Sequence, residues 1–220
     1  EKIISIYNSS KKLNKSKNVS YVRINFLKKI DFGKYKKIIN NYKKIIFINF
    51  ASKKTNKTFL NITNDNFIED FKINTLSYFG ICKILLPLMI KNNWGRIINI
   101  SSVHGAIASQ FKAAYVSSKH GLVGLTKVVA LETAKENITC NAIAPGFVDT
   151  ELVKKQIKKI SKQKKISFQK ASNSLIKEKR PSMNFIKKND VSSLAFYLTT
   201  KEASQITGSN LIIDGGWTAQ

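Results

Sequence analysis

Four continuous apolar runs constrain this 220-residue chain more than any other feature of it. They are Ile45-Ile46-Phe47-Ile48, Arg96-Ile97-Ile98-Asn99-Ile100, Ile138-Thr139-Cys140-Asn141-Ala142-Ile143-Ala144 and Leu211-Ile212-Ile213-Asp214. Each is too short for a helix, and Ile45-Ile46-Phe47-Ile48 is apolar at every position. Such runs are the mark of strands buried on both faces, as in a parallel sheet covered by helices. Segments with helix-like apolar spacing lie between and before them. They are 31–43 (Phe32, Tyr35, Ile38, Ile39, Tyr42), 64–91 (Phe67, Phe71, Leu76, Phe79, Leu85), 115–135, two Lys-rich helices within 151–180, and 190–200. Gly80 and Pro87 are where the 64–91 helix is expected to bend. Shorter strands are expected at 2–7 and 19–24. The alternation predicts an α/β fold, a doubly wound, Rossmann-like parallel sheet.

In such sheets the ligand lies beyond the carboxyl ends of the strands. Asn49, Ser102, Pro145-Gly146 and Asp214-Gly215 all follow strands at that end. Next to Ser102 stands the pair Tyr115 and Lys119, four apart on a predicted helix and hence on one face. An ammonium beside a phenol favours the phenolate and lowers a reference pKa of about 10. The spacing Tyr-x-x-x-Lys occurs three times, at Tyr7/Lys11, Tyr115/Lys119 and Tyr197/Lys201. Only Tyr115 has a serine thirteen residues upstream at a strand end; the matching position before Tyr197 is Asn184. Ser102, Tyr115 and Lys119 therefore read as a proton-transfer set, with Ser102 holding a carbonyl or alcohol oxygen against the phenol.

Longer stretches carry a family likeness: W-G-R-I-I-N-I-S-S-V-H-G from Trp94, A-Y-V-S-S-K-H-G from Ala114, N-A-I-A-P-G-F-V-D-T from Asn141, L-V-K-K-Q-I from Leu152, and I-T-G-S-N-L-I-I-D-G-G-W-T from Ile206. With these the chain resembles the short-chain dehydrogenase/reductase family, and within it the bacterial D-3-hydroxybutyrate dehydrogenases. The likeness is dense over 94–220 and thin over 1–93. It implies one Rossmann-like dehydrogenase domain over 1–220, with 151–185 as a substrate lid. It implies a catalytic tetrad of Asn74, Ser102, Tyr115 and Lys119, in which Asn74 supports a water-linked proton route. The resemblance places Asn49, Tyr115, Lys119, Pro145, Gly146, Val148 and Thr150 around NAD. It places Lys54, His104, Lys112, Gln156 and Trp217 around a short acid. The implied reaction is hydride transfer between NAD and a 3-hydroxy acid, D-3-hydroxybutyrate to acetoacetate. The implied assembly is a homotetramer packed through the helices at 64–91 and 115–135 and the C-terminal strand.

The front third departs from the family pattern. The ten glycines contain neither G-x-x-x-G-x-G nor G-x-G-x-x-G, so the chain reads as starting at the family's second strand. A strand and helix of roughly 30–40 residues are expected to be missing. The family's Asn-Asn-Ala-Gly reads Asn49-Phe50-Ala51-Ser52, and Phe50 obstructs close backbone approach where Gly permits it. Lys54 stands where the subfamily has a carboxylate-binding Gln, and Asn25 where an Asp borders adenine. The turn after Tyr7 offers Asn8-Ser9-Ser10 and no carboxylate for a ribose, while Lys11, Lys12 and Lys15 leave room for a 2′-phosphate. Two alternatives stay open: a catalytically impaired remnant, and another short-chain reductase such as a 3-oxoacyl-carrier-protein reductase.

Composition narrows the partners. The net charge of +25 comes from 38 Lys+Arg against 13 Asp+Glu, with only Arg23, Arg96 and Arg180 among the cations. Arg is the better bidentate phosphate reader, so the charge argues for incidental rather than specific nucleic-acid affinity. No run of about 18 apolar residues predicts a membrane span, and Glu1-Lys2-Ile3-Ile4 has no signal-peptide layout. Cys82 and Cys140 lie in apolar contexts and read as buried free thiols of a reducing compartment, hence a cytoplasmic protein. Two His cannot build a His-rich metal centre, and no metal is expected.

Overall fold

All paired strands run parallel, as short, largely apolar runs set between helices predict. The computed structural model describes residues 3–7, 19–23, 26–27, 42–177 and 181–219. Strand β1 (Ile3–Tyr7) pairs with β2 (Val19–Arg23) in a two-stranded ribbon. Strands β3 (Ile46–Asn49), β4 (Gly95–Ile100), β5 (Ile138–Pro145) and β6 (Asn210–Ile213) form a four-stranded sheet in the order β3-β4-β5-β6. Among the described residues the far edge of β3 has no strand partner, and Ile46 and Ile48 are exposed there. The helix expected over 31–43 lies outside the described residues, apart from Tyr42 and Lys43, which are not helical.

The central strands bury both faces, and neighbouring residues go to different cores. Ile97 packs with Tyr78, Cys82, Leu85 and Met89 of α2 (Ser77–Lys91) and with Leu122 and Val129 of α3 (Ala113–Glu132). Ile98 faces the other way, onto Ile143 of β5 and onto Ala195 and Leu198 at α6 (Lys188–Tyr197). Burying each of these isoleucines contributes about 2 kcal/mol. Gly95 is where α2 and β4 come closest: a Cβ there would sit 2.6 Å from the Met89 sulfur. Cys82 and Cys140 are free and buried, and the Cys140 sulfur lies 3.2 Å from the Tyr78 hydroxyl.

The 64–91 stretch differs from expectation in where it breaks. It comprises α1 (Asn64–Phe71), a π-helical turn over Lys72–Leu76, and α2. Pro87 is accommodated inside α2, and the irregularity falls at Asn74. A wide turn adds a residue to the helical cycle and rotates the side chains that follow. Asn74 and Thr75 are thereby both buried. By length and composition the 28-residue stretch Asn64–Lys91 is also apolar enough to cross a bilayer, contrary to the sequence expectation. In the fold, 44% of its apolar window is buried, and Asp70, Asn74 and Ser77 are among its buried residues.

Helices α4 (Glu151–Lys164) and α5 (Phe168–Ile176) occupy the expected lid region. Each starts at a hydroxyl cap: Thr150 accepts from the Val153 amide and Ser167 from the Lys170 amide.

Candidate active site

The chain leaves β4 at Ser101 and Ser102 and turns at once through a short 3-10 helix, Val103–Gly105. Ser102 caps this turn, its Oγ accepting from the His104 amide at 3.2 Å. The turn is tight against its neighbours: a Cβ on Gly105 would meet the Ser101 hydroxyl at 2.7 Å and the Lys119 carbonyl at 3.2 Å. The chain then enters α3, whose first turns carry Tyr115 and Lys119. Sequence order alone thus delivers Ser102, Tyr115 and Lys119 to one strand end.

A cavity of about 180 Å³ opens there. Ser102, His104, Lys112 and Tyr115 line it from β4 and α3; Lys54 lines it from the loop after β3. Gly146, Val148, Thr150 and Gln156 line it from the end of β5 and from α4, and Trp217 closes it from the C-terminal turn. Four of the expected residues are not in the lining: Asn49, Asn74, Lys119 and Pro145. Asn49 bridges strands, its Nδ2 donating to Asn99 Oδ1 at 3.2 Å while its Oδ1 accepts from the Ala51 amide. Pro145 is buried at the end of β5.

Lys119 is 1% exposed, donates to the Ile100 carbonyl at 2.9 Å, and lies 5.8 Å from the centre of the Tyr115 ring. Burial lowers its ammonium pKa from 10.5 to about 8. The Tyr115 phenol moves the other way from the sequence expectation. Burial raises its pKa, and hydrogen bonds from Ser102 and Ser52 only partly oppose that rise. Removing the phenolate from water outweighs the pull of a neighbouring ammonium.

The Asn74 side chain is held by protein partners. Its two amide hydrogens go to the Lys53 carbonyl and to Ser118 Oγ, both at 2.8 Å, and its Oδ1 accepts from the Lys53 amide. Its side chain is a strut between the β3–α1 loop and the catalytic helix, with no amide hydrogen left for a water.

Polar groups on the acid-binding side form a chain. Lys112 Nζ lies 3.0 Å from His104 Nε2, and His104 Nδ1 lies 3.2 Å from Ser102 Oγ. An ammonium only donates, so Nε2 is the acceptor and the ring proton sits on Nδ1. Ser102 Oγ then accepts from His104 and keeps its own proton, which turns to Tyr115 or to an oxygen seated between the two. Trp217 meets His104 edge to face at 5.6 Å and stacks on Phe147 at 5.3 Å. Asp214 fixes that turn by accepting from the Gly216 and Thr218 amides. Phe147, Leu152 and Val153 also line the cavity, and Ser52 reaches Tyr115. None of these four was among the sequence candidates. Phe147 could have been found from its place beside Gly146; the others carry no local signal.

The described residues fit the nicotinamide-ribose end of a dinucleotide. The buried Lys119 ammonium uses one hydrogen on Ile100 and keeps two for a diol, one helical turn from a phenol. Asn8-Ser9-Ser10, after β1, lies outside the described residues, as does Asn25. Among the described residues no group of three His, Cys, Asp or Glu gathers to hold a metal.

Comparison with known proteins gives a consistent setting. A family model described as enoyl-(acyl carrier protein) reductase matches residues 35–218. D-beta-hydroxybutyrate dehydrogenase of Rhizobium meliloti is 46% identical over 162 residues, 70% of this chain and 63% of that protein. The enzyme of the same name from Cupriavidus necator is 45% identical over 148 residues, 67% of this chain and 57% of that protein. The chain therefore spans about six-tenths of the length of these relatives. A short chain dehydrogenase family protein from Francisella tularensis superposes over 100% of this chain and 88% of its own, with TM-score 0.86 and 25% identity. A 4-hydroxyisoleucine dehydrogenase complexed with NADH covers 99% of this chain and 87% of its own, with TM-score 0.79 and 29% identity.

Proposed function

Because this chain belongs to the short-chain dehydrogenase/reductase family, we propose that it is an NAD-dependent oxidoreductase of short 3-hydroxy acids, with D-3-hydroxybutyrate and acetoacetate as the first pair to test. The observation that carries this reading is one cavity lined both by the Ser102–Tyr115 pair and by Lys112, Gln156 and Lys54. A hydroxy acid needs both halves: a proton acceptor at its alcohol and a cation at its carboxylate. An acyl-carrier thioester has no carboxylate beside its reacting carbonyl and offers the cations at this cavity no second charge to match. The names of the Rhizobium and Cupriavidus relatives point the same way.

The chain's own part in the reaction follows from the geometry. Lys112 and Gln156 draw the carboxylate into the cavity, and Trp217 and Phe147 exclude water from it. Ser102, its proton directed outward by His104, donates to the substrate oxygen and fixes it beside Tyr115. The Tyr115 oxygen takes the alcohol proton in oxidation and returns it in reduction. Lys119 would hold the ribose hydroxyls, with Gly146, Val148 and Thr150 around the ring and Asn49 and Pro145 shaping the strand ends behind it. The chemistry a bound nicotinamide supplies is hydride acceptance from the alcohol carbon. Helices α4 and α5, over 151–176, act as the lid, and the cytoplasm is the proposed compartment.

The test is NADH binding by fluorescence, with and without acetoacetate, followed by NADH formation from D- and L-3-hydroxybutyrate and from a 3-hydroxyacyl thioester. Binding strengthened by the acid and turnover of the D form are expected. Turnover of the thioester alone would assign the chain to acyl-carrier reduction. A folded protein without NADH affinity would make it a remnant.

A further inference from the structure

The Tyr115 oxygen is reached from two sides. Ser102 comes to it from the end of β4 and Ser52 from the loop after β3, each as a side-chain hydrogen bond. Ser52 stands where the family pattern has a glycine, which carries no hydroxyl. The two residues are far apart in sequence, yet both are fixed in one hydrogen-bonded frame. On one side of Ser52, the Ala51 amide donates to Asn49 Oδ1 at 3.1 Å. On the other, the Lys53 amide donates to Asn74 Oδ1 at 2.6 Å, and the Lys53 carbonyl accepts from Asn74 Nδ2 at 2.8 Å. Asn74 Nδ2 also donates to Ser118 Oγ at 2.8 Å, and Ser118 Oγ donates to the carbonyl of Tyr115 itself at 2.8 Å. The loop is thus tied, through Asn74 and Ser118, to the helical turn that carries the phenol. Asn74 and Ser118 are fully buried, whereas Ser52 is exposed. A buried frame therefore presents an exposed hydroxyl to the phenol in a set place.

We propose that Ser52 is a positioning residue of the proton-transfer set, its hydroxyl donating to the Tyr115 oxygen whenever that oxygen has given up its proton. The inference rests on reading the site as a dehydrogenase. A serine hydroxyl has one proton to give. With an alcohol or ketone seated, the Ser102 proton goes to the substrate oxygen, and Tyr115 loses that donor. The Lys119 ammonium lies 5.8 Å from the ring centre and donates to the Ile100 carbonyl. That leaves the phenolate formed in reduction in need of a donor, and Ser52 supplies it. A hydrogen bond to the charged form favours that form. Three titratable groups also face the phenol: Lys119 from its own helix, His104 from the turn after β4 at 5.8 Å ring to ring, and Asp70 from α1. The Asp70 charge and burial both work against the phenolate, and Ser52 works for it.

Ser52→Ala removes the hydroxyl and Ser52→Thr keeps it. With acetoacetate and NADH, Ser52→Ala should lower kcat about tenfold and leave KM within about threefold of the parent, and Ser52→Thr should restore most of the loss. In the oxidation of D-3-hydroxybutyrate the rate rises with pH as Tyr115 loses its proton. Removing a donor that favours the phenolate should move that rise to higher pH, by about half a unit or more. An unchanged kcat and pH profile, a loss confined to KM, or a loss that Ser52→Thr does not restore would each overturn the inference. A readout without turnover keeps it apart from the dehydrogenase reading. Tyrosine is replaced throughout by 3-fluorotyrosine, whose fluorine lowers the phenol pKa, and Tyr115→Phe identifies the fluorine resonance of position 115. Its titration should move to higher pH in Ser52→Ala and return in Ser52→Thr. Turnover with a titration indifferent to Ser52 removes this inference alone. A Ser52-dependent titration without turnover of either acid removes the dehydrogenase reading alone.

Discussion

Burial acts on Tyr115 and Lys119 in opposite directions: it raises the phenol and lowers the ammonium, so that each is pushed towards its neutral form. A protonated Tyr115 suits it to give a proton to a ketone, and the loss of that proton should be costly. Tyr115→Phe should cut turnover by about 10²–10⁴, with the melting temperature nearly unchanged; a variant within threefold of the parent would remove Tyr115 from the chemistry. Lys119 makes a separate prediction about stability. Below about pH 8 it is charged both folded and unfolded, and the fold bears the full cost of burying it, roughly 3 kcal/mol from the drop to about 8. Between about 8 and 10.5 the unfolded chain holds the extra proton, so stability rises with pH until that cost is gone. Urea midpoints of the parent and Lys119→Met should therefore converge as pH rises from 7 to 10; a constant gap would contradict the shift. The spacing of Ser102, Tyr115 and Lys119 was legible because strand end and helix start are local features. The direction of the Tyr115 shift was not, because burial depends on what the rest of the chain stacks over it.

Helices were legible to within a few residues where apolar spacing was regular, as over 115–135 and 190–200, while the break between α4 and α5 was not placed. The π turn at Lys72–Leu76 carries no such mark: Ile73, Asn74 and Thr75 are only weakly unfavourable in a helix, and nothing in them specifies a wide turn. Its origin is tertiary: turning Asn74 and Thr75 inward lets them reach Lys53 and Ser118. Asn74→Ala should leave the Lys53 amide and carbonyl without their side-chain partners in a part-buried setting. A loss of about 2–4 kcal/mol in chemical denaturation is expected. The β3–α1 loop should also become more accessible to hydrogen exchange, while the exchange of α3 beyond its first turns stays as it was. Protection of Lys53 and Thr55 unchanged in the variant would mean the strut is dispensable.

At the scale of the whole molecule, the outward faces of the α1–α2 stretch and α3 are too apolar for a surface in water. Phe79, Ile90, Val128 and Leu131 are between 45% and 78% exposed. We propose that a homotetramer packed through these helices covers them; light scattering should then give about four times 24.8 kDa. Leu131→Asp should reduce the assembly to dimers or monomers; an unaltered mass would place the interface elsewhere. The parallel sheet itself could be read from the sequence, because short, largely apolar strands alternating with helices leave few other architectures. So could the catalytic spacing, while much of the cavity lining was implied by the family resemblance rather than by any pattern in the residues themselves. What only the tertiary structure decided concerns groups distant in sequence. Lys119 and Asn74 stand behind the cavity rather than in it, Ser52 reaches Tyr115, and Lys54 comes to the same cavity as Lys112. Periodicity and spacing specify which face a residue takes within its own element. Which charges then share one small volume, and how far water is kept from them, is set only when elements from opposite ends of the chain close around it.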